Sequence, residues 1–347
     1  MNSMHTTRSN FTRASFEVNQ TIFWQMLSDD QCEEIFMTVL ELLERTGVEI
    51  LNEEARETFE KAGCWVDGTR VRIPSTLVEW ATRTAPSRVT LCDRNGKRAL
   101  RVETTYSYFG PGQGNSFILD PNTGERRKPV KDDVAATAIV CDALKNIDFV
   151  LSNGYPTDVK EAAADLHVFE ALLTNTTKPI IQYIHGVTQA QAILDMAVAI
   201  TGSLRELNKN PFFVYWIDAD GTLVHSDETL AKVIFAAKNG VPFIYNTKLI
   251  LGETAPVKPA GALVVALADV LVGVLLSQLI RQGAPVIAGG FFTINDEENN
   301  MLPLGAPELS LVGTGMSNLL RYLRIPSFGF AGASDSKISD AQMGLEE

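Results

Sequence analysis

Between Lys178 and Phe330 the apolar positions fall into a repeating unit, a short apolar run opened by proline and then a helix-length amphipathic or apolar segment. The runs begin at Lys178-Pro179-Ile180-Ile181, Asn210-Pro211-Phe212-Phe213, Val241-Pro242-Phe243-Ile244, Ala284-Pro285-Val286-Ile287 and Ile325-Pro326-Ser327-Phe328, with prolines 32, 31, 43 and 41 residues apart. Proline at the first residue of a strand forfeits only an N–H that the ladder does not use. Runs apolar on both faces, each followed by a helix, predict parallel strands covered on both sides. Asn146 to Asn153 fits the same rhythm without the proline, which makes six βα units. The predicted helices cover 158–174, 189–204, 227–238, 259–281 and 306–323. Uninterrupted alternation of this kind means a parallel α/β sheet or barrel, and chemistry belongs at the C-terminal ends of its strands, where the loops converge.

Upstream the pattern is mixed. Residues 1–28 read as an arm, 29–130 as a small α+β cap with a hairpin, and 131–347 as the βα units. Ser28-Asp29-Asp30 caps a helix that runs to Thr46 and stops at Gly47; a second helix spans Asn52 to Ala62. A strand over Val71–Ile73, a helix opened by Pro74 and a strand over Arg88–Cys92 follow, then a predicted hairpin over Tyr106–Asp120 and a helix from Lys131 to Lys145. Gly110, Gly112 and Gly114 read as turn glycines, because they do not leave a strand and open a helix as a dinucleotide loop requires. A closed barrel of this type has eight strands. The six units therefore predict either an open sheet or a barrel truncated at its C-terminal side, with Asp340 to Glu347 starting another helix.

Composition narrows the class. In 347 residues, 45% hydrophobic and 21% charged, a net charge of −12 argues against nucleic acid or an anionic membrane as partner. Ala260 to Ile280 is long enough to span a bilayer. It carries Asp269 near its centre, which lipid disfavours, and it fills a helix slot of the repeat, so a buried helix is predicted. Cys32, Cys64, Cys92 and Cys141 are scattered, which points away from a disulfide framework and toward a reducing cytoplasm.

The strand ends carry the candidate chemistry. They read Asn153-Gly154-Tyr155, Gln182-Tyr183-Ile184-His185, Tyr215-Trp216-Ile217-Asp218-Ala219-Asp220, Tyr245-Asn246-Thr247-Lys248, Gly289-Gly290-Phe291-Phe292 and Phe330-Ala331-Gly332-Ala333-Ser334. Clustered rings with few net charges suit a quaternary ammonium held over ring faces. Tyr155, Tyr183, Tyr215, Trp216, Tyr245 and Phe291 are the predicted cage, with His185 and Lys248 as the polar, catalytic candidates. Backbone around Gly290 and Ser334 could present N–H groups to a carboxylate. Lys248 also fits a Schiff-base lysine, which keeps a barrel aldolase or decarboxylase open. Asp218 and Asp220 before Gly221 read as a polar turn rather than a metal site, the histidines being remote in sequence. The run from Asp296 through Glu297 and Glu298 to Asn300 reads as a solvated loop.

The order of several short segments resembles the trimethylamine:corrinoid methyltransferase family, including its glycine betaine branch. They are Leu40 to Glu49, Val71-Arg72-Ile73-Pro74, Asp120 to Arg127, Lys178 to Ile181 and Ala331-Gly332-Ala333-Ser334-Asp335-Ser336-Lys337 with Asp340-Ala341-Gln342. The resemblance implies a TIM-type (β/α)8 barrel, here truncated after about six units. It implies transfer of a methyl group from a methylated amine to the Co(I) corrinoid of a cognate partner protein, with no tightly bound cofactor of its own. Family members acting on trimethylamine carry pyrrolysine, whereas this chain has only standard residues. It is thus similar to the branch that demethylates quaternary amines such as glycine betaine, and the loop from Gly332 to Lys337 is a candidate for the equivalent position. A quaternary nitrogen already carries its leaving-group charge, so the protein need only orient and desolvate one methyl. A homo-oligomer in the cytoplasm is expected. The rival expectations are the lysine enzyme and a non-catalytic fragment that binds quaternary amines.

Overall fold

The computed structural model describes residues 24–103, 105–112, 114–296, 302–336, 338 and 340–346. Most of the predicted arm, Glu297 to Asn300 and Lys337 lie outside them. Helix α1 (Asp29–Glu41) passes into a π-helical turn over Leu42–Thr46. Ser28 caps it reciprocally: the Gln31 N–H donates to the Ser28 hydroxyl, and the Ser28 N–H donates to the Gln31 side chain. Gly47 ends the helix at φ 73°, so close to Val71 that a Cβ would lie 2.3 Å from the Val71 carbonyl oxygen. Then follow β1 (Val48–Ile50), α2 (Glu53–Lys61), β2 (Trp65–Asp67), β3 (Arg70–Arg72) and α3 (Ser75–Thr84).

Strands β4 (Arg88–Cys92) and β5 (Arg98–Glu103) form an antiparallel hairpin. The hairpin expected over Tyr106–Asp120 is not formed; the described residues from 105 to 117 are irregular, with Asn115 bridging Gly154. Pro111 between Gly110 and Gly112 leaves no period-2 pattern to pair. The hairpin in this region is instead the two-residue pair β6 (Ile118–Leu119) and β7 (Arg126–Arg127), folded about the Pro121–Gly124 turn. Helix α4 (Lys131–Ala143) follows.

The repeat then unrolls as α5 (Ala164–Asn175), β8 (Ile180–Tyr183), α6 (Val187–Thr201), α7 (Leu204–Lys209), β9 (Phe213–Asp218), β10 (Val224–His225), α8 (Asp227–Asn239), β11 (Phe243–Leu251), α9 (Pro259–Ile280), β12 (Val286–Ile294), α10 (Pro307–Tyr322), β13 (Ser327–Phe328) and α11 (Met343–Glu346). The main sheet is parallel in the order β8-β9-β11-β12-β13, and Val150 adds a sixth position by bridging Ile180. Spatial order follows chain order, which is the winding of a barrel rather than of a doubly wound sheet with a switch point. Among the described residues no pairing joins the Val150 edge to β13, so the sheet is open.

Alternate strand residues serve different cores, as the two-residue period requires. Phe213, Tyr215, Phe243, Tyr245, Val286 and Phe292 join the large core under the helices. Ile181, Val214, Trp216, Ile244 and Ile287 face the other way and pack on Val89, Leu91 and Leu100 of the β4–β5 hairpin. That hairpin is tied down at the N-terminal ends of the strands, where Cys92 N–H donates to Pro211 (2.7 Å) and Arg94 N–H to Thr177 (2.8 Å). The inner face is therefore plugged at one end and lined by side chains at the other.

Helix α9, the segment with membrane-spanning length, is a core helix: 78% of its most apolar window is buried, and it packs on α1, α2, α3, α8, α10, β11 and β12. The cap is not a separate body. After β9 the chain donates β10 to the cap, pairing parallel with β1 in a sheet ordered β10-β1-β3-β2.

Candidate active site

At the C-terminal ends of the strands the inner-face positions are Tyr183 on β8, Trp216 and Asp218 on β9, Asn246 and Lys248 on β11, and Gly289 and Phe291 on β12. Register places Tyr183 beside Trp216, Asp218 beside Asn246, Asn246 beside Gly289, and Lys248 beside Phe291. Seven neighbouring residues of one face thus converge because each strand keeps the same parity.

Asp218 is the centre of this group. Its Oδ1 accepts a hydrogen bond from the Trp216 indole Nε1–H at 2.7 Å. The Lys248 Nζ lies 2.6 Å from Oδ2. Oδ2 accepts no aligned hydrogen bond among the described residues, so that contact is an ion pair without a formed hydrogen bond. Asp218 is 11% exposed and Lys248 52%, so the anion sits inside and the cation at the rim. Lys248 thus has a carboxylate beside it at the rim of the site. Asn246 beside Asp218 is fully buried, and neither its Oδ1 nor its Nδ2 finds a partner among the described residues. An unsatisfied buried amide costs about 1–3 kcal/mol per group.

A ring cluster borders the carboxylate. Tyr155 and Tyr183 meet edge to face at 6.3 Å between centroids, and His185 packs edge-on to both, at 4.9 and 5.0 Å. His185 is held by Asp165 of α5, whose Oδ1 lies 2.7 Å from Nδ1 and whose Oδ2 accepts the His185 backbone N–H at 2.9 Å. The hydrogen bond to Asp165 raises the His185 pKa above its ordinary value, and burial works against it. Lys232 of α8, almost buried, points its Nζ at the carbonyls of Ile184 and His185, 3.5 and 3.4 Å away. Burial, then the nearby carboxylates Asp218 and Asp165, push the Tyr183 phenol up to about 12, and burial raises Tyr155 further. Both phenols stay neutral. Phe291 and Phe330 close the far side, edge to face at 5.0 Å, and Phe330 continues to Trp216 at 5.8 Å.

Four of the predicted site positions lie elsewhere. Tyr215 and Tyr245 point to the helix face: the Tyr215 hydroxyl donates to the Ala190 carbonyl at 2.6 Å, and the Tyr245 hydroxyl meets His225 Nδ1 at 2.9 Å. Adjacent residues such as Tyr215 and Trp216 cannot both face one mouth, and the large apolar Tyr245 is admitted under α9 by Gly273. Gly290 also faces the helices, where a Cβ would lie 2.2 Å from the Phe292 ring; Gly289 is the glycine of the inner face. Ser334 spends its hydroxyl on Glu346 at 2.7 Å, and no described contact ties it to the rings. Trp216 is on the inner face but only 1% exposed, so it backs Asp218 rather than offering an open ring. The residues that join the predicted ones, Asp218, Asn246 and Asp165, carry no motif; strand parity singles out Asp218 and Asn246, whereas Asp165, in the first turn of α5, reads only as a helix-start acid.

Behind the site, Asp220 accepts the N–H of Ser226, the residue that caps α8, at 2.7 Å. Thr222 and Leu223 hold φ of 55° and 62°, a strained pair fastened by Asp269, which accepts the Leu223 N–H at 2.8 Å and the Thr247 hydroxyl at 3.1 Å. Burial raises the Asp269 carboxyl to about 7 and lowers His225 to about 4.

Comparison with known proteins places these features in a lineage. A sequence profile described as trimethylamine methyltransferase (MTTB) matches residues 2–347. Trimethylamine methyltransferase MttB of Desulfitobacterium hafniense (strain DSM 10664 / DCB-2) is 35% identical over 92% of this chain, which spans 65% of that relative's length. Glycine betaine methyltransferase of Desulfitobacterium hafniense (strain Y51) is 30% identical over 93% of the chain, which spans 67% of its length. Among solved structures, monomethylamine methyltransferase (MtmB) of Methanosarcina barkeri aligns with TM-score 0.50 over 91% of this chain and 70% of its own, at 12% identity, a likeness of fold.

Proposed function

Because the chain belongs to the trimethylamine methyltransferase (MTTB) family, we propose that it transfers a methyl group from a methylated amine, most suitably a quaternary one such as glycine betaine, to the Co(I) corrinoid of a partner protein. The observation that carries this reading is the Asp218 carboxylate, held by Trp216 and neighboured by Tyr183, at the mouth of a TIM-type strand array. A methylated ammonium meets there a counter-charge and ring edges and faces, which together favour a desolvated cation.

In the transfer the C–N bond breaks with its electron pair left on nitrogen, and the methyl carbon is taken by the electron pair of Co(I). A quaternary amine leaves as a neutral tertiary amine, so no proton has to move. The chain's contribution is to seat the cation, aim one methyl outward and exclude water. Tyr155, Tyr183 and Phe291 serve as walls, Asp218 as counter-ion, and His185, fixed by Asp165, as a rigid polar edge. The acceptor approaches from the open end, where Lys248 and His185 are half exposed.

The test is the absorbance of a Co(I) corrinoid protein mixed with this chain and, in turn, trimethylamine, tetramethylammonium, choline and glycine betaine. Methylation with a quaternary amine supports the reading. Absence of methylation with every amine, from folded protein, overturns it.

A further inference from the structure

Resting on the methylated-amine reading, we propose that Asp218 and Lys248 are the specificity pair of the site: they separate when a zwitterionic amine enters, Asp218 then facing its methylated cation and Lys248 its carboxylate.

Three observations lead there. The two side chains form a cation–anion couple 2.6 Å apart on neighbouring strands of the inner face, which is the charge pattern that a zwitterion would replace. The couple is built to open on one side only. Asp218 is anchored through Oδ1 by Trp216, while its Oδ2 accepts no aligned hydrogen bond. Lys248 is half exposed and has a long flexible stem. The third is Asn246, next to Asp218 on the same face, fully buried with both amide atoms unpartnered. A carboxylate drawn toward Lys248 would meet its Nδ2 as a second donor, which gives that amide a use. A simple ammonium ion can replace only half of this pattern: it must strip Asp218 from Lys248 and leave the lysine without its partner. A zwitterion leaves no unpaired charge, and like-for-like exchange is how a site gains discrimination without new binding strength.

The experiment is calorimetric titration of the chain with glycine betaine, tetramethylammonium and acetate, using the wild type, Lys248→Met and Asp218→Asn. Asparagine still accepts from Trp216 and removes only the charge, and urea unfolding midpoints verify that each variant is folded. The wild type should bind glycine betaine about tenfold or more tighter than tetramethylammonium. Lys248→Met should abolish that preference, weakening glycine betaine about tenfold while tetramethylammonium binds as well or better. Asp218→Asn should weaken both cations. An unchanged preference in Lys248→Met, equal binding of the two cations by the wild type, or binding of none of the probes overturns the proposal. Methyl transfer is scored separately: amine demethylation without the charge dependence defeats this pair and spares the methyltransferase, and the charge pattern without demethylation does the reverse.

Discussion

Asp165 reaches His185 with both oxygens, one to the ring and one to the backbone, and so sets the ring's position and its charge together. Because its folded pKa is raised, His185 contributes stability that is complete below the ordinary histidine value of about 6.5 and lost as pH rises through the folded value. Asp165→Asn should lower the His185 pKa and remove that contribution on the acid side. NMR titration of the ring reads this, and an unmoved titration would show that Asp165 does not govern the charge. Trp216 calls for a finer substitution than alanine, which would empty a fully buried site and cost about 3–5 kcal/mol. Trp216→Phe keeps most of the volume and frees Asp218 Oδ1; it should weaken binding of a quaternary amine several-fold, and titration showing unaltered affinity would remove the indole N–H from the site. The rings at the strand ends were legible in the sequence as a group, but their directions follow only from strand parity, which separates Trp216 from Tyr215 and Gly289 from Gly290. Asp218 looks like a turn residue in sequence, because only strand parity turns it to the face of Trp216 and only the pairing of neighbouring strands brings Lys248 to it.

At the scale of elements, the proline-opened repeat located five strands and their helices, since long runs of one periodicity leave little ambiguity. The sixth, Asn146 to Asn153, is reduced to a bridge at Val150. Strands β1, β2 and β10, of two or three residues, were not legible, being too short to show a period. Helix α9 was foreseen as buried, yet the feature that seats it is a single missing side chain. A Cβ on Gly273 would lie 2.3 Å from the Tyr245 ring. Gly273→Ala should gain about 1 kcal/mol of helix propensity and lose more to overpacking, typically 1–3 kcal/mol, moving the ring and with it the hydroxyl on His225. A lowered urea midpoint is expected, and a raised one would mean that Tyr245 yields freely.

Across the whole molecule, Asp269 and His225 join helix α9, strand β11 and the cap through the strained turn at Thr222 and Leu223. Their proton balances oppose each other. The folded Asp269 keeps a proton up to about 7 that the unfolded chain has released near 3.9, so alone it makes stability fall with rising pH, by up to about 1.4 kcal/mol per unit. The folded His225 stays neutral down to about 4, whereas the unfolded chain takes up a proton near 6.5, so alone it makes stability rise over that window. Between about pH 4 and 6.5 the two slopes cancel. Asp269→Asn should uncover the histidine, and the difference between variant and wild-type unfolding free energies should grow with pH across this interval. Parallel curves would rule the balance out. The β4–β5 hairpin has a different kind of consequence. Since it stoppers the inner face at the strands' N-terminal ends, the proposed methyl transfer would bring amine and methyl acceptor to the opposite end. On that reading traffic would be sequential: the amine would be seated before the acceptor docks, and the spent amine would depart only once the acceptor has withdrawn. Premixing with excess acceptor should delay the first turnover, whereas premixing with amine should not.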